Sequence, residues 1–373
     1  MNEAIREFVR RDLRAAAVPW VVARVLVVGS LALTRFGVDH IEGARRPVQL
    51  GQGLFAWDAA FYRDIAEHGY GAVQTGALRF FPLVSIMARG LGVVFVGNDA
   101  FALLVITNGS ALLFGAFLYR LARIETGDTR TAVRAAWFAA VFPPAVALVL
   151  GYAEATFMLL SVAMFLALRR RRFAWAIPVA VLAGLTRPVG ILLALPAAIE
   201  GSRGWQAASL RDRVARIGAV VAAPFGSGLY LLWVRYAYGD AWLPLRIQND
   251  RAHRGGFVDP FTRTFDGIGD LIHGDRFGSG LHILWAALFV ALIVVLLMRL
   301  PASYGGYAVA MLVVNLSARN PDSLERYAMS AFPFVLAVAL LTDRPDVERP
   351  VLVLSAAGLV GYSVLAFLGV YVP

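Results

Sequence analysis

The sequence predicts an all-α, polytopic integral membrane protein of about eleven transmembrane helices, and three observations carry that expectation. Of 373 residues, 59% are hydrophobic and only 16% charged, a balance that water-soluble domains of this size rarely show. Apolar stretches recur from Val18 to Val372, parted by short charged or Pro/Gly-bearing segments. Within each stretch the apolar run is continuous, whereas the strands of a membrane barrel would alternate every second residue. One membrane domain, residues 1–373, is the economical reading.

Composition also narrows the chemistry. There is no cysteine, hence no disulfide, thiolate nucleophile or thiolate-ligated metal. His40, His68, His253, His273 and His282 are scattered without a metal-ligand spacing, so no metal and no cofactor is expected. The net charge of +10 comes from arginine alone, since no lysine occurs. Those arginines stand between apolar spans, where orientation by the positive-inside effect and contact with anionic lipid explain them better than a nucleic-acid partner.

Taken in order, the first span is expected at 18–36, with Arg6, Arg10, Arg11 and Arg14 holding the N-terminus in the cytoplasm. A long polar segment follows, and 37–100 is read as the first external loop. Further spans are expected at 101–121, 133–150, 155–168, 173–186, 188–199, 217–236, 282–300, 304–318, 329–342 and 350–370. The apolar segment 80–96 opens with Phe80-Phe81-Pro82 and carries Arg89. It is assigned to a re-entrant or juxtamembrane helix, because a twelfth crossing would place Arg169-Arg170-Arg171-Arg172 outside. The basic loops 120–134, 169–172 and 201–216 then lie inside, and 150–155, 237–281 and 319–328 outside. The 237–281 loop, with Asp240, Asp250, Asp259, Asp266 and Asp275, is long enough to cap a cavity but not to form a domain.

The first external loop holds the most chemistry. Asp58, Phe61, Tyr62 and Ile65 share a helical spacing ending at Gly69, which sets a carboxylate against an aromatic, interfacial surface. Such a carboxylate can serve as a general base; an Asp at that place equally caps a helix, and physics leaves the two readings even. Glu154, in the turn Gly151-Tyr152-Ala153-Glu154, is a second candidate acid, with a first-turn role in the following helix as its alternative.

Residues 57–70, Trp57-Asp58-x-x-x-Tyr62-x-x-Ile65-Ala66-x-x-Gly69-Tyr70, are followed by Arg79-Phe80-Phe81-Pro82-Leu83. Together they resemble the first-loop signature of the PIG-V-type mannosyltransferases, in the GT-C superfamily, in their bacterial branch. Leu185-Thr186-Arg187-Pro188-x-Gly190 and Glu325-Arg326-Tyr327 before Phe332-Pro333 continue the likeness in the right order. The resemblance implies a polyprenyl-phosphate sugar as donor, Asp58 as the base, and transfer with inversion to a lipid or glycolipid acceptor. It also marks Arg79, Arg187, Arg326 and Tyr327 for donor binding, and Trp57, Tyr62, His68 and Tyr70 around the site. The arginines have a plain alternative as interface anchors, and the aromatics likewise. The resemblance further implies a multi-pass protein of the cell membrane with its active site facing the extracytoplasmic side. The rival reading is a transporter or flippase for an anionic lipid-linked substrate, which would gather polar residues at midplane and repeat its halves; here they gather in loops, and no repeat is visible.

Overall fold

The computed structural model describes residues 7–42, 46–274 and 279–373; Arg6 and Asp275 fall outside them. The described chain is helical throughout, with a single isolated bridge, Phe257 to Ala318, as its β-like pairing. In chain order the α-helices are α1 Arg14–Gly37, α2 Val48–Gln52, α3 Asp58–His68, α4 Leu83–Gly92, α5 Asp99–Thr126, α6 Thr129–Val141, α7 Glu154–Arg169 and α8 Phe173–Thr186. There follow α9 Ala194–Ser202, α10 Leu210–Tyr238, α11 Leu243–Gln248, α12 Pro260–His273, α13 Ser279–Arg299, α14 Ala302–Leu316, α15 Leu324–Met329, α16 Pro333–Leu341 and α17 Pro345–Phe367.

Five helical segments among the described residues are long and apolar enough to cross a bilayer: Phe8–His40, Asp99–Thr126, Leu210–Tyr238, Gly280–Arg299 and Pro345–Phe367. This is the polytopic all-α architecture that the apolar pattern predicts. The remaining expected spans all meet helices, but shorter ones, and proline explains several breaks. In 133–150, α6 stops at Val141, Phe142 turns extended (φ −58°, ψ 141°), and Pro143-Pro144 open a 3₁₀ helix, Pro143–Leu148. Proline lacks the amide that would continue the ladder and disfavours the helical region for the residue before it. The 80–96 segment forms a helix over Leu83–Phe95, about 20 Å at 1.5 Å per residue, well short of the ~30 Å hydrocarbon layer.

The chain divides into two compact units. The first takes Met1–Val73, Val84–Val162 and Val338–Pro373. There α1 is tied to its neighbours by Arg24, whose guanidinium donates to Asn108 Oδ1 and to the Leu148 carbonyl, each at 2.9 Å. Asn98 caps α5 and Asp128 caps α6 through side-chain oxygens, satisfying amides that a helix start leaves open.

The second unit takes Gln74–Leu83 and Ala163–Ala337. Its densest packing joins α8 to α10: a Cβ added at Gly184 would collide with the Ala223 carbonyl, and one at Gly226 with the Val181 carbonyl. Small residues let the two backbones touch, and Ser227 Oγ donates to the Gly184 carbonyl at 3.0 Å. This contact fixes the C-terminal end of α8, where Arg187 emerges.

Candidate functional site

The sequence-marked residues fall into two sets, one in each unit. In the second unit, three guanidinium groups surround the ring of Tyr327. Arg254 lies 4.0 Å from its centroid, Arg326 4.4 Å and Arg187 5.1 Å. Arg187 and Arg326 are buried, and Tyr327 and Arg254 are half-buried. A face of an aromatic ring attracts cations, and the phenol supplies one hydrogen-bonding group. The ring therefore organises the three cations without neutralising them.

Each arginine is delivered by a distinct local device. Arg187 is extended (φ −155°, ψ 149°) between α8 and the 3₁₀ helix Pro188–Leu193, because Pro188 forces its predecessor out of the helix. Its Nη1 donates to Ser330 Oγ at 3.0 Å, and that hydroxyl donates to the Arg326 carbonyl at 3.1 Å. Arg326 itself sits on the short α15. Arg254 arrives from the 237–281 loop, whose backbone is laced to 317–320: Asn320 N donates to Arg254 O, Arg319 N to Gly256 O and Val258 N to Ser317 O, at 3.0–3.1 Å. The turn after Arg254 needs Gly255 and Gly256, at φ +71° and +88°, a region that costs glycine little.

Burial lowers the Arg254 pKa from the ordinary arginine value; Arg326 and Arg187 push it the same way, while Tyr327, which hydrogen-bonds it, opposes them. Desolvated like charges crowded together favour an anion in their midst. Arginine forks match phosphate oxygens in particular.

Beside Arg326, Glu325 is fully buried. Its Oε2 is 2.7 Å from Nδ1 of His282, near the start of α13, and its Oε1 has no hydrogen-bond partner among the described residues. Arg79 stacks on its neighbour Phe80 at 4.6 Å, in a segment held by the Tyr230 hydroxyl, which donates to the Leu78 carbonyl at 2.7 Å. The third guanidinium at Tyr327 is thus Arg254, which the sequence reading did not mark. Only the adjacent Gly-Gly hinted that residue 254 sits at a tight turn.

In the first unit, Asp58 opens α3 and is half-buried. The cap position belongs to Trp57, at φ +59° and ψ −126° with no side-chain capping bond, so the reading of Asp58 as the helix cap is corrected to a first-turn carboxylate. Trp57 is held in that strained conformation by its indole, which donates to the Ala366 carbonyl at 2.9 Å. The buried stripe of α3 is Ala59, Tyr62, Ile65 and Ala66; at roughly 100° per residue Asp58 falls within that arc, between Ile65 and Tyr62, and Phe61 at its edge, both half-buried. The helix starts there because Trp57 turns the chain and stops at Gly69, φ +76°.

The turn 151–154 packs on this start: Gly151 N donates to Leu54 O at 3.1 Å, and Asp58 N donates to the Tyr152 hydroxyl at 3.3 Å. Folding thus brings together the segments of the two acids, 96 residues apart in sequence. Glu154, at the first position of α7, is 2% exposed, far from the solvated surface where a first-turn acid is usually found. His68 stands exposed at the end of α3, its Nδ1 3.3 Å from the Asp64 carbonyl, and Tyr70 is half-buried. Among the described residues no three His, Asp or Glu side chains gather as a metal site would require.

Fold and site together define a multi-pass, all-α membrane protein with a buried arginine cluster and, in its other unit, a carboxylate-bearing turn. No protein-family model and no curated protein matches the chain. Among solved structures it is similar to the oligosaccharyltransferase of Archaeoglobus fulgidus in complex with zinc and sulfate, at 14% identity and a TM-score of 0.48, over 95% of this chain and 52% of that one. It is also similar to AglB of the same archaeon in complex with an inhibitory peptide and a dolichol-phosphate, at 15% identity and a TM-score of 0.47, over 96% of this chain and 56% of that one. The chain spans about half the length of these structures.

Proposed function

We propose that the chain is a membrane glycosyltransferase of the GT-C type that moves a sugar, mannose by the sequence resemblance, from a polyprenyl-phosphate donor to a hydroxyl of a lipid or glycolipid acceptor. The observation that carries this reading is the trio Arg187, Arg254 and Arg326 around Tyr327. Two of the three, Arg187 and Arg326, lie in the segments that carry the sequence resemblance. In the reaction the bond from the sugar's anomeric carbon to the phosphate oxygen breaks, and a bond to the acceptor oxygen forms on the opposite face, with inversion. The electron pair stays with the departing polyprenyl phosphate, whose extra negative charge the guanidinium groups stabilise. The acceptor's proton is assigned to the Asp58 carboxylate by the sequence resemblance alone, a base being needed because a neutral hydroxyl is a weak nucleophile.

The test is direct. Purified protein is incubated with radiolabelled polyprenyl-phosphate-mannose and a membrane lipid extract, and a new labelled lipid is sought by chromatography. Its formation, cut by about 10²-fold or more in Asp58→Asn, supports the reading. Movement of the labelled donor between leaflets without any new product would overturn it in favour of a flippase.

A further inference from the structure

Helix α12, Pro260–His273, turns its apolar residues away from the protein. Phe261, Phe265, Ile268 and Ile272 are 77, 73, 40 and 51% exposed, and at roughly 100° per residue they fall within an arc of about 60°. The opposite side carries Arg263 and Gly267, both buried. Gly267 lies so close to Ile283 of α13 that an added Cβ would collide with that side chain. A helix standing in water would have its polarity the other way round.

We propose that α12 lies in the membrane–water interface with this stripe sunk among lipid acyl chains, as a surface anchor beside the span formed by α13. Continuity argues for lipid as the occupant. Through Gly267 and Ile283, α12 packs on the first turns of a segment, Gly280–Arg299, that is long and apolar enough to cross a bilayer. That segment exposes Leu284 and Leu288, by 52 and 40%, so both of the packed helices turn apolar side chains outward. Fourteen residues reach about 21 Å, too little to cross ~30 Å of hydrocarbon and suited to lying along it. The attraction is apolar and not electrostatic. The helix's one arginine, Arg263, is on the protein side, 3.9 Å from Asp270, while Asp266 and His273 are exposed. This inference goes beyond sugar transfer and does not depend on it.

The absence of native cysteine makes a site-directed nitroxide experiment clean. Phe261→Cys, Phe265→Cys, Ile268→Cys, Ile272→Cys, Asp266→Cys and His273→Cys are made singly in the full chain, labelled, and placed in nanodiscs of zwitterionic lipid. Collision with oxygen, which concentrates in hydrocarbon, is compared with collision with a water-soluble nickel chelate. Labels at 261, 265, 268 and 272 are expected to meet oxygen several-fold more readily than nickel. Those at 266 and 273 should show the reverse, and adding anionic lipid should change neither. Stripe labels as open to nickel as those at 266 and 273 would overturn the proposal. So would stripe labels shielded from both reagents, which would mean that protein, for instance a second copy, covers the face.

Discussion

The guanidinium of Arg254 lies over the ring of Tyr327, 4.0 Å from its centroid, although 73 residues of chain separate them. The contact brings a positive charge from a polar loop to the two arginines beside the same ring, and burial keeps its pKa below the ordinary arginine value. Three cations are thereby gathered at one ring.

For Arg254 the discriminating substitution is lysine, which keeps the charge and loses the planar fork. Losing hydrogen bonds to a charged oxygen costs about 1.5–3 kcal/mol, so Arg254→Lys, Arg187→Lys and Arg326→Lys should each weaken donor affinity by ~10- to 100-fold. Acceptor affinity should stay nearly unchanged, because only the donor carries the leaving phosphate. Steady-state kinetics with each substrate varied separately would show it, and unaltered donor KM in all three variants would remove the phosphate assignment.

Gly255 supports Arg254 from behind. An alanine there would have to adopt φ +71°, and its Cβ would press on that of Arg319 at 3.2 Å. Gly255→Ala should cost on the order of 1–2 kcal/mol locally. It should also reproduce part of the Arg254→Lys loss of donor affinity while leaving the first unit's residues untouched; donor titration together with limited proteolysis of the 249–259 loop reads both effects.

The His282–Glu325 pair is buried on both sides, so removing one partner strands the other. His282→Ala should lower stability by about 1–3 kcal/mol, the cost of leaving a buried acceptor unsatisfied. Adding Glu325→Gln to it should restore part of that loss, because a neutral amide is cheaper to bury than a carboxylate. Thermal unfolding in detergent of the two single variants and the double variant forms the cycle; strict additivity would show that the pair is not coupled.

Asp58→Asn retains the side chain's size and its place in the first turn of α3 but cannot take a proton. Transfer should fall by about 10²-fold or more, with the protein still accumulating in the membrane. Tyr152→Phe, which removes the hydroxyl that accepts from the Asp58 amide, should cost less, about 1 kcal/mol of stability. Near-normal transfer by Asp58→Asn would leave Asp58 a dipole-facing acid only.

Asp128 gives a pH-dependent readout far from any proposed chemistry. Its bonds from the Thr131 hydroxyl and amide, then from the Arg130 amide, hold its pKa below the ordinary carboxylate value. A depressed folded-state pKa means that the stabilisation is present above the unfolded-state value and is lost as pH falls through the folded one. Asp128→Ala should therefore cost about 1 kcal/mol near neutral pH, as lost caps do, and the gap to the parent chain should close below the usual carboxylate range. Unfolding measured at both pH values checks the sign.

Much of this protein is local and could be read along the chain. Continuous apolar runs fix helices in a bilayer, since every backbone amide must be satisfied inside its own segment. The breaks at Phe142 and Arg187 follow from the prolines after them, and the ends at Gly69 and Gly127 from the freedom of glycine. Asp58, Arg187 and Arg326 stood out because each lies in a recognisable short pattern. What tertiary structure alone decided is which of these meet. Arg254 reaches Tyr327 only because the 254–258 backbone pairs with 317–320, and two glycines in left-handed conformation permit the turn; hydrogen bonds between distant segments leave no periodicity in sequence. The exchange of Asp58 from cap to first-turn acid likewise depends on Trp57, whose strained backbone is held by a carbonyl at residue 366. Such contacts are set by packing between elements, and the sequence records only the residues that make them possible.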